Sequence, residues 1–290
     1  MELRNCDTTR NPERIAAVLT IAGSDSGGGA GIQADLRTFS ALGVFGTSAI
    51  TAVTSQNPTA VSRVDALPPD AVAEQIRTVL NVIDIRAVKT GMLFSAEIIR
   101  QVAECLKQTR LPLVVDPVMI STSGTKLMQD DALDTMMSEL LPLATWITPN
   151  IPEAEHLSGR TIRSTADAAA AAKQIADRWH TSVVLKGGHA ENDRMAADVI
   201  CTDGMLCCLS AARLPLPPHA SHGTGCTLSA AITAFLAQGA KGLQAVTGAK
   251  AFVLGSLAEA RAIGREQSIA AMFPPEKLEP YKQQILINRL

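Results

Sequence analysis

Aromatic residues are scarce in this 290-residue chain: two Trp, one Tyr and six Phe, or 3% of the total. Few rings are therefore available to stack unpaired bases. Lys and Arg (26) nearly balance Asp and Glu (28), and no clustered basic run could neutralise a phosphate backbone. Nucleic acid is excluded as the expected partner. Six cysteines, at 6, 105, 201, 207, 208 and 226, form no C-x-x-C pair and have no His at zinc-ligand spacing, which argues against a structural metal and for free thiols in a reducing compartment. His219 and His222 lie in a Pro-flanked stretch without the helical Glu of a metalloprotease. No apolar run approaches the roughly 20 residues that span a bilayer. Residues 1–14 mix Glu, Asp and Arg without the apolar centre of a secretory signal, so a cytosolic protein with no membrane partner is expected. A G-x-x-x-x-G-K-[ST] phosphate loop is absent too.

What is present is apolar material: 47% hydrophobic against 19% charged, enough to outweigh the chain entropy of folding. Val18 to Ala22 is a short β-prone run that breaks into Gly23-Ser24-Asp25-Ser26-Gly27-Gly28-Gly29-Ala30-Gly31, followed by a helical pattern with Ala34, Leu36, Phe39 and Leu42 inward. Strands are expected again at 47–53, 87–89, 113–115, 145–148 and 183–186, with a β-prone pair at 198–201 and 205–209. Helices are expected at 70–82, 95–108, 130–141, 164–179, 225–238 and from 242 towards 263. Such alternation predicts an α/β fold with a mostly parallel central sheet and helices on both faces. No linker divides the chain, so residues 15–290 are read as one domain after a polar tail, 1–14.

Ligands in such folds bind beyond the carboxyl ends of the strands, which directs attention to the residues there. Gly29-Ala30-Gly31-Ile32-Gln33-Ala34 matches the dinucleotide fingerprint only nominally, because it begins too far from its strand and Asp35 and Asp65 are wrongly spaced for a ribose. His222-Gly223-Thr224-Gly225-Cys226-Thr227 is either an anion cradle at a helix start or a plain glycine turn. Cys226, in the first turn, is placed where the helix dipole lowers a thiol pKa and makes thiolate accessible near neutrality, so it reads as a base or nucleophile, the alternative being a buried small hydrophobe. Cys105, Cys201, Cys207 and Cys208 read as core. Asn150 and Glu153 share one side of a helix start, where they either cap it or hold a Mg²⁺ ion. Lys186, before two glycines, is either a phosphate contact or a surface lysine.

Taken in order, seven segments resemble the ribokinase-like superfamily, and within it the hydroxymethylpyrimidine/phosphomethylpyrimidine kinases of thiamine biosynthesis. They are residues 21–35, Gln56-Asn57, Lys89-Thr90-Gly91-Met92, Asp116-Pro117-Val118-Met119, residues 148–155, Lys186-Gly187-Gly188-His189 and residues 222–227. Related sugar kinases usually carry Asp after the Gly-x-Gly, whereas Cys226 matches the pyrimidine kinases. The resemblance implies that ATP phosphorylates 4-amino-5-hydroxymethyl-2-methylpyrimidine and then its monophosphate. By the same resemblance, Cys226 takes the hydroxyl proton and the backbone of Gly223, Thr224 and Gly225 stabilises the moving phosphoryl group. Asp35 and Gln56 would bond the substrate, while Gly23, Ala30, Met92 and Met119 wall the ring. Lys186, Thr224 and Asn150 would hold ATP, and Glu153, Asn150 and Asp116 would organise Mg²⁺. A homodimer is also implied.

Three departures stand out. Residues 1–14 extend the usual start, Ile120-Ser121-Thr122-Ser123-Gly124 lacks a lysine that members often carry, and Thr54 replaces a more apolar wall residue. A pyridoxal kinase of the same superfamily, or a non-catalytic ligand-binding relative, are the competing readings.

Overall fold

The computed structural model describes residues 15–119, 128, 129, 131–187, 194–265 and 269–290. The tail 1–14, the segment 120–124, and Gly188 and His189 therefore lie outside the described residues. In chain order the elements are β1 (Ala17–Asp25), α1 (Gly31–Ala41), β2 (Phe45–Asn57), β3 (Ala60–Ala66), α2 (Pro69–Val82), β4 (Ile85–Thr90), α3 (Ala96–Leu106), β5 (Leu113–Val115), α4 (Ala132–Thr135), β6 (Trp146–Ile147), α5 (Ile151–Ser158), α6 (Thr165–Trp179), β7 (Ser182–Lys186), β8 (Met195–Thr202), β9 (Met205–Ala212), α7 (Thr224–Ala237), α8 (Gly242–Ala258), β10 (Arg261–Ala262), β11 (Ala270–Ala271), α9 (Glu279–Lys282) and β12 (Leu286–Arg289).

Ten strands form one sheet in the order β12-β9-β8-β7-β6-β5-β4-β1-β2-β3. The run from β2 to β7 is parallel throughout, and the antiparallel strands β3, β8, β9 and β12 flank it. Because side chains alternate across a strand, each parallel strand feeds two cores. Leu19, Ile21, Val88, Val115, Ile147, Val183 and Leu185 pack with residues of α2, α3, α5 and α6. Their neighbours Val114, Trp146 and Val184 pack with α7 and α8, and Val18 and Ala87 with Phe39 of α1 and Ala230 and Ala234 of α7. The expected two-sided covering is what forms.

Several elements differ from the sequence pattern; the last long helix, expected towards 263, ends at Ala258 and is followed by the short β10, β11 and α9. The helix expected over 130–141 is the short α4, then a π turn at Met136–Leu140 and a 3₁₀ turn at Leu141–Leu143. Pro142 has no N–H to continue an α ladder. The indole N–H of Trp179 donates to the Met137 carbonyl in that turn at 3.0 Å. The strands β3 and β12 carry too little burial to be conspicuous, since β12 is exposed at every residue.

Candidate active site

The carboxyl ends of β1, β4, β5, β6 and β7 open onto one cavity of about 440 Å³, lined among others by Gly23, Gln56, Met92, Asp116, Lys186 and Cys226. Ala30 and Thr224 line it as well. At one end the glycine loop after β1 is tied down by Asp25. One oxygen of that carboxylate accepts from the Gly27 amide at 2.8 Å, and the other from the amides of Gly29 (3.1 Å) and Ala30 (2.8 Å). Burial alone would push this carboxyl up, but the hydrogen bonds from His222, Ala30 and Gly27 hold it below its ordinary range. Facing the loop, Ser26 donates to the Gln56 carbonyl and accepts from the Gln56 amide, both at 2.8 Å. Thr54 Oγ1 approaches Gln56 Oε1 at 3.2 Å and the Ser24 carbonyl at 2.9 Å. The single hydroxyl proton of Thr54 is shared between these two acceptors, which sets the hydroxyl against the Gln56 side chain.

At the centre, Gly223 has φ +80°, and a β-carbon there would overlap the Gly29 carbonyl oxygen. Only glycine lets the two loops touch. α7 starts at once, and its first-turn amides have no partner within the helix. The Thr224 amide turns back to the Ser221 carbonyl at 3.2 Å, so Gly225 and Cys226 are the amides this helix end offers to an anion. The Gly223 amide likewise has no backbone partner among the described residues, and the anion-cradle alternative is favoured over a plain turn.

Lys186 Nζ lies 2.7 Å from Asp116 Oδ1, and Ser229 Oγ donates to Asp116 Oδ2 at 3.2 Å. Burial opposes the Asp116 charge, yet the ammonium groups of Lys186 and Lys89 hold its carboxyl below the usual range. Lys186 is not a surface lysine; its side chain is 16% exposed. An added β-carbon on Gly225 would sit 3.3 Å from Lys186 Nζ, which puts the cation beside the helix-end amides.

For Asn150 and Glu153 the capping alternative is the one that forms. Asn150 Oδ1 accepts from the Glu153 amide at 2.9 Å, and Glu153 Oε2 accepts from the Asn150 amide at 2.8 Å, a complete capping box. Glu153 Oε1 takes the Met119 amide at 3.4 Å. Burial pushes the Glu153 carboxyl up to about 7, against the pull of Lys186. Among the described residues no three acidic, His or Cys side chains cluster as a ligand set. The oxygen donors of Asp116, Asn150 and Glu153 suit magnesium chemically and could hold it or its waters.

Cys226 reverses its sequence expectation. Burial pushes the thiol up to about 11, and the nearby Lys89 only partly offsets this. The dipole argument weighed the helix end alone, whereas the sulfur is also opposed by the carboxylates of Asp35 and Asp116.

Asp35, expected to bond the substrate, and Met119, expected to wall the ring, are not among the residues lining the cavity. Asp35 is 0% exposed, with its carboxylate bonded to Lys89 and Thr20. Met119 turns into the core on the α3 side, and Val118 takes the wall position beside it. Sequence reasoning missed Asp25 as the loop's anchor, although an Asp before Ser-Gly-Gly is an ordinary signal for such a turn. It also missed Lys250, whose ammonium meets Asp198 Oδ2 at 2.6 Å on the cavity wall. Lys250 is the one charged residue within α8, and a lone charge in an apolar helix signals a buried partner. Leu214, Leu216, Val253, Leu254 and Leu257 form the apolar far end.

The model of the phosphomethylpyrimidine kinase family matches residues 25–270. A hydroxymethylpyrimidine/phosphomethylpyrimidine kinase of Synechococcus elongatus is 45% identical over 261 residues, 90% of this chain and 98% of that protein. Among solved structures, a phosphomethylpyrimidine kinase from Clostridium difficile 630 is 42% identical, covering 82% of this chain and 98% of its own, with a TM-score of 0.72. The pyridoxal kinase of Staphylococcus aureus, solved with pyridoxal and also with AMP-PCP, is 33% identical in the pyridoxal complex. It covers 96% of this chain and 100% of its own, with a TM-score of 0.83 in that complex. By the family match and by identity over nearly its whole length, the chain belongs to the phosphomethylpyrimidine kinase family.

Proposed function

We infer that the protein uses ATP to phosphorylate 4-amino-5-hydroxymethyl-2-methylpyrimidine and then the resulting monophosphate, giving the diphosphate for thiamine assembly. The observation that carries this reading is the layout of one cavity. A fixed amide (Gln56) and Met92 stand at one end, the Cys226 thiol with helix-end amides and Lys186 at the centre, and an apolar wall at the other end. Gln56 and Met92 take the aminopyrimidine, and the apolar end takes the adenine. The substrate oxygen attacks the γ-phosphorus while its proton passes to the thiolate form of Cys226, and the bond from phosphorus to the β,γ-bridging oxygen breaks to release ADP. The amides of Gly225 and Cys226, with the Gly223 turn and Thr224 beside them, and Lys186 meet the charge that spreads over the phosphoryl oxygens.

Magnesium bound to the phosphates would neutralise part of that charge, and Asp116, Asn150 and Glu153 would orient its waters. In this reading residues 15–290 act as one domain of a cytosolic homodimer; among the described residues no helix is long and apolar enough to cross a membrane.

The test is consumption of Mg-ATP with the hydroxymethylpyrimidine, its monophosphate and pyridoxal offered separately, with products identified by mass. Two successive phosphoryl additions to the pyrimidine are expected. The closeness in shape to a pyridoxal kinase gives a second reading, that pyridoxal is also a substrate. Turnover of pyridoxal alone would replace the pyrimidine assignment and leave the site's chemistry standing.

A further inference from the structure

The cavity wall holds a buried ion pair that the phosphoryl-transfer chemistry above does not use. Asp198 on β8 and Lys250 on α8 line the cavity together with Lys186 and the apolar residues of α8. They are 7% and 8% exposed, and their charged groups meet at 2.6 Å. A buried ion pair is a weak source of stability, because the cost of desolvating both charges is offset only by good geometry, and apolar replacements of similar volume are often neutral or better. The second contact of the carboxylate is more telling. Asp198 Oδ1 accepts from the Gly187 amide at 3.0 Å, in the peptide group that follows Lys186. The peptide group that precedes Lys186 is tied as well, since the Lys186 amide donates to the Pro149 carbonyl at 2.8 Å, beyond the end of β6. Strand register sets Lys186 opposite Asp198, and a β-carbon on Gly187 would overlap the Ala197 carbonyl oxygen. Glycine therefore lets the chain press against β8 closely enough for the carboxylate to reach the amide.

We propose that Asp198 is a positioning residue for Lys186: by accepting the Gly187 amide it fixes the peptide group after Lys186, and Lys250 neutralises the carboxylate so that it can do so inside the wall. Lysine carries its charge on a flexible four-carbon stem, and each side chain that must be immobilised on binding costs affinity. With the peptide groups on both sides of its α-carbon held, only the Lys186 stem is free to move, and Asp116 Oδ1, 2.7 Å from Nζ, holds its tip. The ammonium is thereby kept beside the start of α7, where a β-carbon on Gly225 would stand 3.3 Å from it. Lys250 lies one turn before Val253 and Leu254 on α8, so the same pair joins the end of β7 to the helix that supplies the apolar end of the cavity. This role rests on the reading of Lys186 as a contact for the ATP phosphates, and it predicts an effect on nucleotide that the pyrimidine does not share.

The experiment compares two double variants of the full-length protein, Asp198→Asn/Lys250→Met and Asp198→Val/Lys250→Met, by titration calorimetry with AMP-PCP and magnesium and, separately, with hydroxymethylpyrimidine. Both variants lack the ion pair and leave no charge stranded, and only the asparagine keeps an oxygen for the Gly187 amide. The valine variant should bind AMP-PCP about tenfold more weakly than the asparagine variant, the upper range for one lost hydrogen bond, while the two bind the pyrimidine alike. Equal affinities for AMP-PCP overturn the proposal. A loss that falls equally on the pyrimidine also overturns it, because a general loosening of the fold would give that result. If the valine variant does not fold, Asp198→Ser/Lys250→Met replaces it in the same comparison, since the serine hydroxyl ends one bond short of the oxygen that meets the amide. Failure of the parent protein to bind AMP-PCP would strike the reading of Lys186 as a phosphate contact, and the proposal with it, whereas a parent that binds beside indistinguishable variants overturns the proposal alone.

Discussion

His222 Nε2 lies 3.2 Å from Asp25 Oδ2, joining two residues 197 positions apart and, through them, the glycine loop that covers the substrate end and the turn that starts the anion-binding helix. The same carboxylate holds three loop amides. Both loops are thus set by one anion. Asp25→Asn should raise the KM for the pyrimidine and lower stability by about 1.5–3 kcal/mol, the range for hydrogen bonds to a charged group. Urea unfolding and steady-state kinetics read the two effects.

The same substitution carries a pH signature. The folded protein holds the Asp25 carboxyl below its unfolded value of about 3.9. Its contribution is therefore complete above that pH and disappears as the pH falls through the lower folded value. Urea midpoints of parent and Asp25→Asn should differ at pH 7 and converge as the pH falls below about 4. A difference that persists undiminished into acid would contradict the ionic role.

Much of this arrangement is readable in the amino-acid order, and the limits have physical causes. Val18 and Leu19 face opposite cores because a β-strand alternates, so short strands apolar on both faces announce a covered parallel sheet. Cys226, Lys186 and Gln56 follow strand ends or glycine turns, where local pattern and ligand position coincide. Asp35 does not. It shares a motif with cavity residues, yet its helical position points it at Lys89, 54 residues later, and no local spacing encodes that pairing. The thiol of Cys226 escapes a local reading for a similar reason, since the carboxylates of Asp35 and Asp116 that oppose its ionisation come from distant parts of the chain.

Thr54→Val removes the hydroxyl that meets Gln56 Oε1 and the Ser24 carbonyl without changing shape much. The freed amide should recognise the aminopyrimidine less well. A rise in its KM of about 2- to 10-fold with little change in kcat is expected, matching the loss of one neutral hydrogen bond of about 0.5–1.5 kcal/mol. An unchanged KM would remove Thr54 from the recognition of the ring.

Lys250→Met strands Asp198, whose other oxygen accepts from the Gly187 amide at 3.0 Å next to Lys186. Loss of about 3–5 kcal/mol is expected, as for a buried pair cut on one side. Lys250→Met/Asp198→Asn should regain part of it, because the amide oxygen still accepts from Gly187 and no charge is left alone. Thermal or urea unfolding of the three proteins checks the order.

The most direct test of the account compares the two acceptors in a Cys226→Ala variant. A hydroxymethyl group must lose a proton to attack, whereas a phosphate monoester already carries an anionic oxygen near neutrality, its second pKa being about 6. A thiolate acting as proton acceptor therefore matters for the first transfer and much less for the second. With hydroxymethylpyrimidine, kcat should fall by about 10²- to 10⁴-fold, the range for a lost general base. With the monophosphate, kcat should fall far less, and the fold and ATP binding should be retained. Equal loss on both acceptors, or no loss on the alcohol, would contradict the role assigned to Cys226.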